Sequence, residues 1–163
     1  MVKRLSKEEA EDGTDAPRSL DELNANIART EPLVPGATRA VLGEGPIGAA
    51  IAFVGEQPGD QEDREGRPFV GPAGQLLNRA MSEADMTRER VYVTNAVKHF
   101  KFEQRGKRRI HERPTTGEVK HYRWWLFKEL ECVRRPKAYL ALLHIVRGYF
   151  LFHRNTLDAD VKG

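Results

Sequence analysis

Cysteine is almost missing from this sequence: Cys132 is the only one among 163 residues. A lone thiol excludes an internal disulfide framework, and equally any metal or iron–sulfur site built from cysteines alone. Long apolar runs are missing too. None approaches the roughly 20 residues that cross a bilayer, so no membrane partner is expected. The amino terminus, MVKRLSKEEAEDG, has no apolar stretch behind its basic residues. It does not read as a secretory signal, and a cytoplasmic protein is expected. Internal repeats and low-complexity segments are also absent. What remains is a charged chain with adequate core material: 31% charged and 39% hydrophobic residues, at a mean hydropathy of −0.61. A chain of this length buries one self-sufficient core, so one domain is expected.

The net charge of +3 conceals an asymmetry. Residues 1–97 carry 11 basic and 17 acidic side chains, whereas residues 98–137 carry 13 basic and 5 acidic. Such a basic block is either a polyanion-binding surface or a solvated cationic face.

Residues 1–18 are polar and aperiodic and read as a disordered tail. Ser19 and Glu22 form a capping-box pattern, and Leu20, Leu23 and Ile27 give one apolar stripe, which predicts a helix to about Arg29. Pro32, Pro35 and Gly36 end it. Two short apolar runs, Ala50 to Val54 and Val91 to Asn95, read as strands buried on both faces. Between them lie a Gly/Pro/acid loop at 55–74 and a helical pattern from Gln75 to Ala84. Strand, loop, helix, strand is a βαβ unit. It predicts an α/β fold of three layers, α/β/α, around a central parallel sheet. Residues 98–117 read as a basic loop, Glu118 to Glu131 as a helix, and Ala138 to Leu143 as a third buried strand. Residues 144–163 show no clear βα pattern.

In open α/β sheets ligands bind beyond the carboxyl ends of the strands, which places the candidate site at three exits. The first is GEQPGDQED, where Glu56, Gln57, Asp60, Glu62 and Asp63 crowd one loop. These groups suit a small polar substrate, a Mg²⁺ ion, or simply a solvated loop. Phe69, in PFVGPAG, stacks on a planar ring or anchors its loop in the core. Asn95 presents a donor and an acceptor side by side, which match the edge of a pyrimidine; a strand-end cap is the alternative. The basic loop interleaves Lys98, Lys101, Arg105, Lys107, Arg108, Arg109 and Arg113 with Phe100 and Phe102. Cations neutralise phosphates and aromatics stack on unpaired bases. His111 lies inside this loop, where neighbouring cations favour a neutral, nucleophilic imidazole.

GEQPGDQED at 55–63, GRPFVGPAG at 66–74, VYVTNAVKHFKF at 91–102 and KRRIH at 107–111 together resemble the uracil-DNA glycosylase superfamily. The nearest resemblance is to its UdgX class, a relative of the family 4 enzymes, from about Ala37 to Leu142. That resemblance implies a uracil-DNA glycosylase-like domain over 19–143 and a divergent tail over 144–163. It implies excision of uracil from DNA, preferably single-stranded, by a monomer. Glu56, Gln57 and Asp60 fall at the catalytic loop, with Asp63 in support. Gln57, Phe69 and Asn95 fall at the uracil site. His111 falls where UdgX-like proteins bond covalently to the sugar C1′. Lys107, Arg108, Arg109 and Arg113 are the expected DNA contacts. A catalytically impaired fragment that only binds single-stranded nucleic acid is the rival expectation.

Two departures accompany the resemblance. The family usually carries a 4Fe–4S cluster, but its early Cys-x-x-Cys falls at Ala28 and Glu31 and its last Cys near Tyr122. Only His99 lies at a remaining ligand position, so no metal and no cofactor are expected. The family also continues past the third strand to a His-Pro-Ser segment. This chain departs at about Leu143, which suggests a truncated or frameshifted copy whose sheet is incomplete at its carboxyl-terminal side.

Overall fold

A computed structural model describes residues 19–32, 36–134, 136, 138–142 and 151–153. The expected tail at 1–18 and most of 144–163 lie outside the described residues. Helix α1 spans Leu20–Ala28, and the Ser19 hydroxyl accepts the Glu22 N–H at 3.2 Å. Strand β1 follows at Ile51–Gly55. The acidic stretch after it, read from sequence as loop, contains a short helix α2 at Asp60–Glu65. Helix α3 runs over Pro72–Glu83 and strand β2 over Tyr92–Asn95.

The basic segment is not a loop. It forms a hairpin, with β3 at Phe102–Arg105 and β4 at Arg108–His111 in antiparallel register. The connection is Gly106-Lys107, and Gly106 takes φ +59 while Lys107 stays out of the left-handed region. Glycine at the first central position is what a II′ turn requires. Helix α4 spans Thr116–Cys132, capped reciprocally by Thr115 and Glu118, and strand β5 spans Ala138–Leu142. A last strand, β6 at Leu151–His153, pairs antiparallel with β5 and covers its edge.

The main sheet has the order β2-β1-β5-β6. Its first three strands are parallel, as expected; β6 makes it a mixed sheet. Alternate residues face opposite layers. Phe53, Val91 and Val93 pack with Leu77 and Met81 of α3, whereas Ala52 and Tyr92 pack with Leu130, Val133, Leu20 and Leu126 of the α4 side. Helices thus cover both faces, giving three layers. The chain leaves β1 toward a helix on one face and β2 toward a helix on the other. Their carboxyl ends therefore open a crevice between them, where a parallel sheet offers its ligand site.

Candidate active site

Gly55 and Asn95, the last residues of β1 and β2, are register partners at the floor of this crevice. A Cβ on Gly55 would lie 2.2 Å from Asn95 Oδ1 and 2.9 Å from Phe69 Cζ. Only glycine lets the amide and the ring approach so closely. Phe69 itself is buried and holds φ +55, a left-handed conformation that an aromatic residue rarely adopts. Three neighbours hold it there. Arg88 donates to Phe69 O at 3.1 Å and to Pro68 O at 2.5 Å. A Cβ on Gly74 would stand 1.8 Å from Phe69 O, so the turn passes only over a glycine. The buried Glu62 carboxylate accepts the N–H groups of Gly71 at 2.9 Å and Gly59 at 3.2 Å. Strain of this kind persists only where the surroundings over-determine it, and it concentrates at ligand sites. Sequence reasoning placed Glu62 among several acids and missed Arg88 altogether; nothing in the local pattern marks that arginine.

Glu56 and Gln57 leave the end of β1. The Glu56 carboxylate is largely buried and pairs with Arg113 Nε at 3.3 Å. Gln57 reaches the hairpin. Its Oε1 accepts the Lys101 N–H at 3.0 Å, which fixes the amide orientation. Its Nε2 then lies 3.1 Å from Lys101 O, 2.9 Å from Glu112 O and 2.9 Å from His111 Nε2. An amide nitrogen can only donate, so His111 Nε2 must accept. That selects the tautomer with its proton on Nδ1 and a lone pair on Nε2.

Asp60 and Asp63 play a different part from Glu56. Arg109 Nε meets Asp60 Oδ1 at 2.5 Å, and Arg109 Nη1 meets Asp63 Oδ2 at 2.6 Å. The fully buried Asp63 also accepts the Thr38 N–H at 2.8 Å. The guanidinium lies over the Phe100 and Phe102 rings at 5.4 and 5.1 Å. Arg109 is therefore turned inward and pins β4 against α2. These same bonds occupy the acidic loop: Glu62 serves backbone amides, Asp63 an amide and Arg109, and Asp60 both Arg109 and Arg64. A Mg²⁺ site would have to displace a guanidinium. Among the described residues no three His, Cys, Asp or Glu side chains group as a metal site.

The basic block divides in the same way. Lys98 is fully buried beneath Asn95, and Lys101 pairs with Glu118 at 3.0 Å and Glu112 at 3.2 Å. Arg105 pairs with Glu103. Lys107 and Arg108 stand exposed at the hairpin tip. K107A/R108A is expected to weaken single-stranded DNA binding and to flatten its salt slope by up to about 0.7 for each phosphate that no longer meets a cation. R109A is expected to act through the fold instead, lowering stability by roughly 2 kcal/mol because Asp63 stays buried without its cation. Salt titration of DNA affinity, paired with urea unfolding, separates the two. Equal salt slopes in wild type and K107A/R108A would show that the tip does not touch the DNA backbone.

The chain is similar to proteins of known family. The sequence profile of the Uracil DNA glycosylase superfamily matches residues 42–157, running past Leu143, where the motif reading ends. The Type-4 uracil-DNA glycosylase of Thermotoga maritima is 51% identical over 132 residues, which is 81% of this chain and 65% of that protein. The Type-4 uracil-DNA glycosylase of Archaeoglobus fulgidus is 38% identical over 151 residues, 89% of this chain and 71% of that protein. That of Sulfurisphaera tokodaii is 55% identical over 62 residues, 37% of this chain and 28% of that protein. The chain thus spans a little under two thirds of the Thermotoga relative. With the profile covering well over half of the chain, and with Gly55, Phe69 and Asn95 converging where a parallel sheet binds ligands, this chain belongs to the uracil-DNA glycosylase superfamily.

Proposed function

We propose that the chain excises uracil from DNA, preferably single-stranded, and remains bonded to the resulting abasic sugar through His111. The observation that carries this reading is the pairing of Gln57 with His111 Nε2 at 2.9 Å beside the Gly55–Asn95–Phe69 pocket. A base in a duplex is out of reach, so the target is flipped or supplied unpaired. Asn95 reads the uracil edge and Phe69 stacks on its ring.

The chemistry follows from charge. As the C1′–N1 bond breaks, its electron pair leaves with uracil N1 and positive charge develops on the sugar. The Glu56 carboxylate, close to the exit of β1, stabilises that cation. The Nε2 lone pair of His111 then forms a bond to C1′. The imidazolium product sheds its Nδ1 proton to solvent. Asp60 and Asp63 act through Arg109, which holds β4 and hence His111 against the catalytic loop. Lys107 and Arg108 meet phosphates, and Arg113 meets Glu56 at the crevice mouth. The chain acts as a monomer.

The test is a single-stranded oligonucleotide with one deoxyuridine, set against the same sequence with thymidine. A denaturant-resistant protein–DNA band and free uracil in the supernatant are the expected results, from the uracil oligonucleotide alone. Equal affinity for both oligonucleotides, with neither adduct nor free uracil, would leave the second reading: a nucleic-acid-binding module that uses the exposed hairpin tip.

A further inference from the structure

The resemblance to family 4 enzymes implies a 4Fe–4S cluster, and the residues of this chain do not fit one. Such clusters are held by thiolates. Ala28 has no donor, Glu31 offers an exposed carboxylate, and His99 and Tyr122 offer one imidazole and one phenol. The single thiol, Cys132, lies ten residues along α4 from Tyr122, about 15 Å of helix away.

The segments that would surround a cluster nevertheless meet, and polar side chains bond where they do. His99 and Tyr122 are both about 1% exposed. His99 Nδ1 lies 2.7 Å from the Tyr122 hydroxyl, with ring centroids 5.9 Å apart. Burial pushes His99 down to about 4, so the ring is neutral, with one donor and one acceptor. Burial pushes the Tyr122 phenol up, so it keeps its proton. The phenol therefore donates to Nδ1.

We propose that the buried His99–Tyr122 pair is an iron-free substitute for the cluster, tying the segment after β2 to helix α4 with a hydrogen bond alone. The chain accordingly folds, and keeps its fold, without iron, whatever its activity on DNA.

The experiment has two arms on the full chain, neither of which reads activity. In the first, protein is incubated anaerobically with ferrous iron and sulfide, desalted, and assayed for both. No bound iron, no visible absorbance and an unchanged melting temperature are expected; stoichiometric iron and sulfide would overturn the proposal. In the second, Tyr122→Phe keeps the ring but strands Nδ1. Its melting temperature is expected to fall by about 3–10 °C. The double variant His99→Leu/Tyr122→Phe is expected to lose less than the sum of the two single losses. A Tyr122→Phe protein as stable as wild type, or strictly additive losses, would show that the pair does not hold these segments together.

Discussion

An H111A protein is expected to lose the denaturant-resistant adduct entirely while still releasing uracil. The two outcomes separate because they depend on different groups. On the proposed reading, departure of uracil needs its edge held by Asn95, its ring covered by Phe69, and negative charge near the sugar from Glu56. None of these passes through His111. Gln57 is fixed by Lys101 N–H at 3.0 Å and by the carbonyls of Lys101 and Glu112, so the catalytic loop keeps its anchor when the imidazole goes. Water then captures the sugar cation, and the enzyme turns over. The adduct should fall by at least about 10²-fold, and excision should change by far less than the 10²–10³ that accompanies loss of a charge-stabilising group. E56Q is expected to show the opposite pattern, with excision and adduct falling together. The measurement is a denaturing gel for the adduct, run beside a uracil-release assay under single-turnover and excess-substrate conditions. Adduct formation by H111A at the wild-type rate would assign the nucleophile elsewhere and reduce KRRIH to a phosphate clamp. The Q57L variant refines the point. Without the amide, Nε2 keeps its lone pair but loses its orientation, so the adduct should form more slowly and still form.

The parts of this site that could be read from sequence are those set by period and position. Short apolar runs marked β1, β2 and β5, and their carboxyl ends located Gly55 and Asn95 without knowledge of any contact. The Ser19 cap declared α1, whereas the Thr115–Glu118 box, which starts α4 at Thr116, went unread and that helix was expected from Glu118. Other features were not local properties. Helix α2 has six residues and is rich in charge, so it has no apolar stripe to announce it. The hairpin carries its Gly-Lys turn openly, but cationic strands facing outward show no alternation of apolar and polar residues. Most of all, charge counting treats every cation alike. Lys98, Lys101 and Arg109 belong to the basic block by sequence and to the interior by structure, each neutralised by a carboxylate more than ten residues away. Pairings of that range are written in the fold, and no window of sequence contains both partners.

Lys98 gives the largest expected effect on stability. Its Nζ lies 2.5 Å from Glu129 Oε2, 2.7 Å from Thr94 Oγ1 and 2.8 Å from Asn95 O, and both charged side chains are fully buried. Tyr92 OH donates to Glu129 Oε1 at 2.9 Å, and burial followed by the Glu129 charge pushes that phenol above its ordinary range. Space here is already exhausted: a Cβ on Gly43 would stand 2.2 Å from Glu129 Oε1 and 2.3 Å from Tyr92 OH. K98M should therefore leave a carboxylate in the core with hydroxyl donors and no cation, at a cost of about 3–5 kcal/mol. Because Glu129 lies on α4 and Asn95 ends β2, the same network sets the height of Asn95 in the crevice. The double variant K98M/E129L removes the stranded charge and is expected to recover most of the lost stability, since apolar groups of similar volume replace buried ion pairs with little penalty. It should not recover uracil selectivity, because Asn95 O is still without its donor and the pocket floor is free to shift. Urea unfolding of the single and double variants, with uracil release measured on the double, tests both halves. A K98M protein as stable as wild type would mean that water reaches Glu129. A double variant with full stability and full uracil release would make the buried pair a matter of folding alone.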